Sequence, residues 1–102
     1  MNTLPTHEGR VKKVTITMPC HLGLHARTAV QFINFANQFC SIIRIRKGKY
    51  VTNGKSMLGL LALGAAFNST LEIEVEGDDA ARAIKEIECY FLDETHCADD
   101  TL

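Results

Sequence analysis

The chain has 102 residues, 46% of them hydrophobic and 23% charged, the size and composition of one domain with one core. Wholesale disorder and collagen-like structure are excluded, and no apolar run approaches the ~20 residues that span a bilayer. The net charge of −1 hides an uneven distribution, with nine Lys or Arg and no Asp or Glu from Gly9 to Leu71, and eleven Asp or Glu against Arg82 and Lys85 from Glu72 onward. Such asymmetry means either an acidic partner or nucleic acid, or two halves that lie side by side and neutralise each other.

Residues 1–10 are polar, carry Pro5 and Gly9, and read as a flexible leader without a secretory signal, so a cytoplasmic protein is expected. Val11 to Met18 alternates, with Val14, Ile16 and Met18 on one side and Lys13, Thr15 and Thr17 on the other, as in a half-buried strand. Pro19 ends it, and a loop runs to His25. Ala26 to Phe39 places Ala29, Phe32, Ile33, Ala36 and Phe39 on one helical stripe. Ser41 to Lys47 alternates again, and Lys47-Gly48 turns the chain into a short strand from Lys49 to Thr52.

Asn53-Gly54 is a further turn. Ser56 caps a short apolar helix that runs to Leu63 and stops at Gly64. Thr70 to Glu76 is the clearest strand, with Leu71, Ile73 and Val75 opposed to Glu72, Glu74 and Glu76. Gly77 turns the chain, and Asp78 caps a last helix whose inward face is Ala80, Ile84, Ile87 and Phe91. Residues 11–93 form the domain, and residues 94–102 form an acidic tail expected to fray. Every strand has one apolar and one polar face, so the order βαββαβα predicts a single sheet with its helices on one side. Lys13, Arg44 and Arg46 then share the open face with the three glutamates, and local pairing accounts for much of the charge asymmetry.

Four cysteines, Cys20, Cys40, Cys89 and Cys97, include no CxxC pair, and in a reducing compartment they are expected to be thiols. His21 beside Cys20 and His96 beside Cys97 allow a zinc site to be drawn, but the spacing matches no standard finger, so no metal is expected.

The candidate site is Gly23-Leu24-His25-Ala26-Arg27. His25 stands where loop becomes helix, where free backbone N–H groups and the helix dipole prepare a place for an anion. A neutral imidazole nitrogen there is a nucleophile. A phosphoryl group on it would put negative charge where it is favoured, within reach of the Arg27 guanidinium. Spacing alone favours an ordinary loop histidine. The Gly-Lys-Ser at residues 54–56 lacks the glycine five positions before Gly54 that a nucleotide-binding loop needs, because Lys49 occupies that place. Ser56 is at least a helix cap, and a phosphate on it would be tolerated electrostatically. Met57, Leu58 and Leu61 lie on a helix apolar nearly all round, so core packing and a docking surface are both open.

These two motifs, GLHAR around His25 and NGKSMLGLLALG around Ser56, stand thirty-one residues apart in the sequence. Together they resemble the histidine-containing phosphocarrier (HPr) family of the bacterial phosphotransferase system, over roughly Val11 to Leu92. The resemblance implies an α+β open-faced sandwich, a four-stranded antiparallel sheet covered on one face by three helices. It implies that His25 receives a phosphoryl group on Nδ1 from phosphorylated enzyme I, ultimately from phosphoenolpyruvate, and passes it to the A-type component of a sugar permease. Arg27 would steady that group, with Ala26 and Thr28 at the helix start. Ser56 matches the serine modified by an ATP-dependent HPr kinase, and Leu24, Met57, Leu58 and Leu61 match the docking surface. A monomeric carrier without cofactor, rather than an enzyme, is implied.

One departure is Thr28, where the family motif usually has proline, a residue suited to a first helical turn. Threonine keeps an N–H and adds a hydroxyl, either of which can reach the phosphoryl group or the loop. The rival of a different class is a regulatory or nitrogen-branch module of the same fold, read by a kinase or a transcription regulator through the state of Ser56. His25 favours the carrier, since regulatory relatives can lack that histidine. A nucleic-acid binder would need exposed aromatics among the basic residues, and only Tyr50 is near them. A hydrolase would need a general base and a water site that the sequence does not offer.

Overall fold

The computed structural model describes residues 10–20 and 23–93. The expected leader and acidic tail therefore lie outside the described residues, except for Arg10, as do His21, His96 and Cys97. The elements are β1 (Val11–Thr17), α1 (Ala26–Ala36), β2 (Ile42–Lys47), β3 (Tyr50–Asn53), α2 (Met57–Leu63), β4 (Thr70–Glu76) and α3 (Ala80–Leu92). The strands make one sheet in the order β1-β4-β2-β3, and every neighbouring pair is antiparallel.

Alternation places the sheet's apolar residues on one side. Ile16, Met18, Ile43, Ile45, Leu71, Ile73 and Val75 are buried. They form one core with Ala29, Phe32 and Ala36 of α1, Leu60 and Leu63 of α2, and Ala80, Ala83, Ile87 and Phe91 of α3. This is the expected open-faced α+β sandwich. On the opposite face the register sets Lys13 beside Glu74 and Glu74 beside Arg44. Arg44 reaches Glu76 at 3.1 Å and Arg46 reaches Glu72 at 3.3 Å. The two oppositely charged halves of the sequence thus meet on one sheet face. Each exposed pair contributes only about 0.2–1 kcal/mol, so the core carries the fold.

Several local expectations are corrected. Helix α1 stops at Ala36 rather than Phe39: Asn37 makes the last i→i−4 bond, its N–H on the Ile33 carbonyl at 2.9 Å, and the N–H groups of Gln38 and Phe39 turn to the carbonyls of Phe35 and Ala36, three residues back. Phe39 is nonetheless buried: an apolar period reports which side chains are covered, not where helical hydrogen bonding ends. The hairpin loop is Gly48-Lys49, since Lys47 already pairs with Tyr50. The cap position of α3 is Asp79, not Asp78, and Asp79 does not cap through its side chain. Its carboxylate accepts the N–H groups of Cys40 (2.8 Å) and Ser41 (3.0 Å) and the Ser41 hydroxyl. This long-range tie joins the start of α3 to the chain entering β2, and the Ser41 hydroxyl above all holds the Asp79 carboxyl below its usual range. Asp78 pairs instead with Arg10 at 3.2 Å. On α3 the buried residues are Ala80, Ala83, Ile87 and Phe91, so Ala83 takes the place expected of Ile84, which is half-buried. Cys40 and Cys89 are free thiols, whereas Cys20 is disulfide-bonded, contrary to the expectation of thiols throughout; linear spacing does not reveal which sulfurs meet in space.

Candidate functional site

The loop before α1 is shaped by glycine. Gly23 has φ +72°, and a Cβ there would stand 2.3 Å from the Ala65 carbonyl oxygen, so a side chain is excluded both by backbone conformation and by space. The next residue is held by the same carbonyl, because the Leu24 N–H donates to Ala65 O at 2.8 Å. Ala65 follows Gly64, the left-handed residue that ends α2. The loop is therefore anchored to the end of α2 before it reaches the histidine.

His25 is the N-cap of α1, with extended backbone angles (φ −118°, ψ −171°). Its Nδ1 accepts the Arg27 N–H at 3.3 Å. Nδ1 thus carries a lone pair and faces the helix start, and the ring is half-buried. The first turn of α1 contains no acidic residue, so the positive end of the helix is uncompensated there by its own side chains. Ala26 and Arg27 are exposed at this end, while Thr28 is buried at 8%. The Thr28 Oγ1 accepts the His25 N–H at 3.0 Å and lies 3.1 Å from Gly23 O and 3.2 Å from His25 O. His25 and Thr28 form a reciprocal capping box, each side chain accepting the other's backbone N–H.

Ser56 is the N-cap of α2, its Oγ accepting the Gly59 N–H at 3.0 Å. Seven residues of helix separate it from Gly64, about 10 Å at 1.5 Å per residue. The Ser56 end is thus one short helix away from the carbonyl that anchors the His25 loop. Gly59 lets the helix pack closely on β3, for a Cβ there would meet Thr52 Oγ1 at 1.8 Å and displace that side chain. Of the apolar residues on α2, Leu60 and Leu63 are core, Met57 is half-buried against it, and Leu58 and Leu61 stand 81% and 40% exposed. The apolar helix is therefore divided between packing and surface. Leu24 is half-buried and packs against the core.

One contributor was not singled out from sequence. Ala65 acts through its carbonyl, which no side-chain pattern reveals. Val30 on α1 and Phe67 beyond α2 are exposed hydrophobics; Val30 falls off the apolar stripe of its helix. Among the described residues, no group of His, Cys, Asp or Glu could hold a metal ion, and no helix is long and apolar enough to cross a membrane.

The family model described as PTS-HPr, the PTS HPr component phosphorylation site, matches residues 12–92. The phosphocarrier protein HPr of Neisseria meningitidis serogroup A is 40% identical over 73 residues, covering 72% of this chain and 82% of that protein. The HPr-like protein Crh of Halalkalibacterium halodurans is 40% identical over 63 residues, covering 62% of this chain and 75% of that protein. The crystal structure of HPr-C-His from Thermoanaerobacter tengcongensis superposes with a TM-score of 0.77 at 34% identity, covering 85% of this chain and 96% of that one. With a matched span that takes in both motifs, and the same fold in a solved relative, the chain belongs to the PTS-HPr family of phosphocarrier proteins.

Proposed function

We propose that His25 accepts a phosphoryl group from phosphorylated enzyme I, ultimately derived from phosphoenolpyruvate, and delivers it to the A-type component of a sugar permease. The observation that carries this reading is the Nδ1 lone pair of His25, held against the Arg27 N–H at the open end of α1. In the transfer, that lone pair attacks phosphorus while the donor's bond to phosphorus breaks and its electron pair stays with the donor. The N–H groups at the helix start, at Ala26, Arg27 and Thr28, exchange the ring nitrogen for phosphoryl oxygens, and the Arg27 guanidinium adds a mobile positive charge. Positioning and charge stabilisation carry most of phosphoryl transfer, so no metal or general base is required of the carrier. An exposed site held by few groups suits a shuttle, which must release the group at a cost similar to that of binding it.

Leu24, Met57, Leu58 and Leu61 form the docking surface that brings partners to His25. The chain works as a cytoplasmic monomer. Phosphate placed on Ser56 by an ATP-dependent HPr kinase would sit beside Leu58, favoured by the helix start and opposed to apolar docking. The test is to incubate the protein with enzyme I and phosphoenolpyruvate. Wild type gains an acid-labile, base-stable phosphate and His25→Ala gains none; label on the variant refutes the assignment.

A second reading is favoured by the likeness to Crh: a regulatory or nitrogen-branch module that binds partners, such as a transcription regulator, according to the state of Ser56. Sugar phosphorylation in a reconstituted chain separates the two, since only the carrier supports it.

A further inference from the structure

We infer that Thr28 is a positioning residue, whose buried hydroxyl sets the His25 loop in the place where the family pattern relies on a proline. The inference deepens the carrier reading and rests on it, but its first readout does not require enzyme I. A threonine hydroxyl at this position could in principle point at the phosphoryl site or back into the loop. The structure decides for the loop. Thr28 is 8% exposed, and its Oγ1 accepts the His25 N–H at 3.0 Å. Its single proton is then available to the Gly23 carbonyl at 3.1 Å or the His25 carbonyl at 3.2 Å. The His25 carbonyl already accepts the Ala29 N–H at 2.8 Å, the first regular bond of the helix. Gly23 O, five residues back and outside the helix, is therefore the acceptor that gains most from the hydroxyl.

The consequence is a loop gripped from two sides. Ala65 O takes the Leu24 N–H, and Thr28 Oγ1 takes the His25 N–H while closing on Gly23 O. Three consecutive residues, Gly23, Leu24 and His25, are thereby held through their backbone. His25 χ1 rotates from a fixed Cα, and its Nδ1 stays on the helix N–H groups. A proline at 28 would preset φ but would offer neither the hydroxyl nor an N–H. The His25 N–H would then lose its acceptor, and the capping box would lose both of its bonds. Thr28 thus replaces a covalent restraint with a hydrogen-bonded one and leaves one further donor beside Nδ1.

The variants are Thr28→Val, which keeps shape and N–H but removes the hydroxyl, Thr28→Ser, which restores it, and Thr28→Pro. Two measurements apply. Nitrogen-15 NMR of the neutral His25 ring reports whether Nδ1 is the unprotonated, accepting nitrogen. Phosphoramidate, which donates its phosphoryl group to Nδ1 with loss of ammonia as its P–N bond breaks, reports the competence of the ring without any partner protein. Wild type and Thr28→Ser should show the tautomer with the proton on Nε2. Thr28→Val should shift toward a mixture and react about tenfold more slowly, the factor expected for one buried hydrogen bond. Thr28→Pro should in addition lose its phosphate faster at neutral pH, having one donor fewer. A Thr28→Val protein with the wild-type tautomer and rate overturns the inference. If phosphoramidate labels wild type but enzyme I does not, the carrier reading fails while the role of Thr28 stands.

Discussion

Replacing Gly23 by alanine asks how much of the site depends on one backbone contact. At φ +72° an L-residue is strained by about 1–2 kcal/mol. The new Cβ would also stand 2.3 Å from Ala65 O and 3.1 Å from the Ala66 Cα. Both are backbone atoms, so neither can rotate away, and the loop must retreat from the end of α2. That movement breaks the 2.8 Å Leu24 N–H bond to Ala65 O, at a further cost of about 1–2 kcal/mol for a bond removed from water. The total is about 2–4 kcal/mol, equivalent to a fall in Tm of about 10–20 °C for a domain of this size. Gly48→Ala is the control. Gly48 also has positive φ, at +61°, but its Cβ would meet nothing within 4 Å, so only the strain of about 1–2 kcal/mol applies. Thermal unfolding followed by circular dichroism measures both, and phosphoramidate labelling below the melting transition measures the site. Gly23→Ala should label at least tenfold more slowly, whereas Gly48→Ala should label normally. Equal Tm losses in the two variants, or unimpaired labelling of Gly23→Ala, would refute the claim that Ala65 positions the His25 loop.

Other expectations concern separate parts of the molecule. Asp79→Asn should destabilise the fold at neutral pH by about 1–3 kcal/mol, as a charged acceptor of three hydrogen bonds is weakened. Because the folded pKa of Asp79 lies below 3.8, its contribution is complete above the unfolded value and disappears as pH falls through the folded one. Urea titrations should therefore show a constant gap between wild type and variant from pH 7 to 5 that closes below about pH 4. Leu58→Ser should leave Tm within about 2 °C of wild type, since Leu58 is 81% exposed, yet weaken enzyme I binding by about tenfold or more in calorimetry if it is a docking anchor. Leu60→Ala, at 0% exposed, should instead cost about 2–5 kcal/mol in the same unfolding assay. Ser56→Asp should keep Tm near wild type while lowering enzyme I affinity; undiminished affinity would count against regulation through that serine.

The sequence by itself determined the fold class and the family. Alternation in Val11–Met18, Ser41–Lys47 and Thr70–Glu76, with helical stripes between, admits little but a one-sided sheet, since each strand has a single apolar face to bury. The glycine before His25 and the cap signals at His25 and Ser56 were local, written in adjacent residues, and so legible. Tertiary structure decided what depends on distant chain segments meeting. The shared charged face was already expected from the strand alternation, but the sheet order decided which partners meet, setting Arg44 on Glu76 and Arg46 on Glu72. Asp79 was drawn away from capping α3 by the amides of Cys40 and Ser41, nearly forty residues earlier in the chain. Helix α2 was split between core and surface by the orientation in which it packs, which its all-round apolarity did not encode. The choice of the Thr28 hydroxyl between phosphoryl site and loop depended on burial, and the Ala65 carbonyl entered the site only because the chain after α2 passes beside Gly23. A backbone carbonyl is the same in every residue, so only its place in space gives it a role.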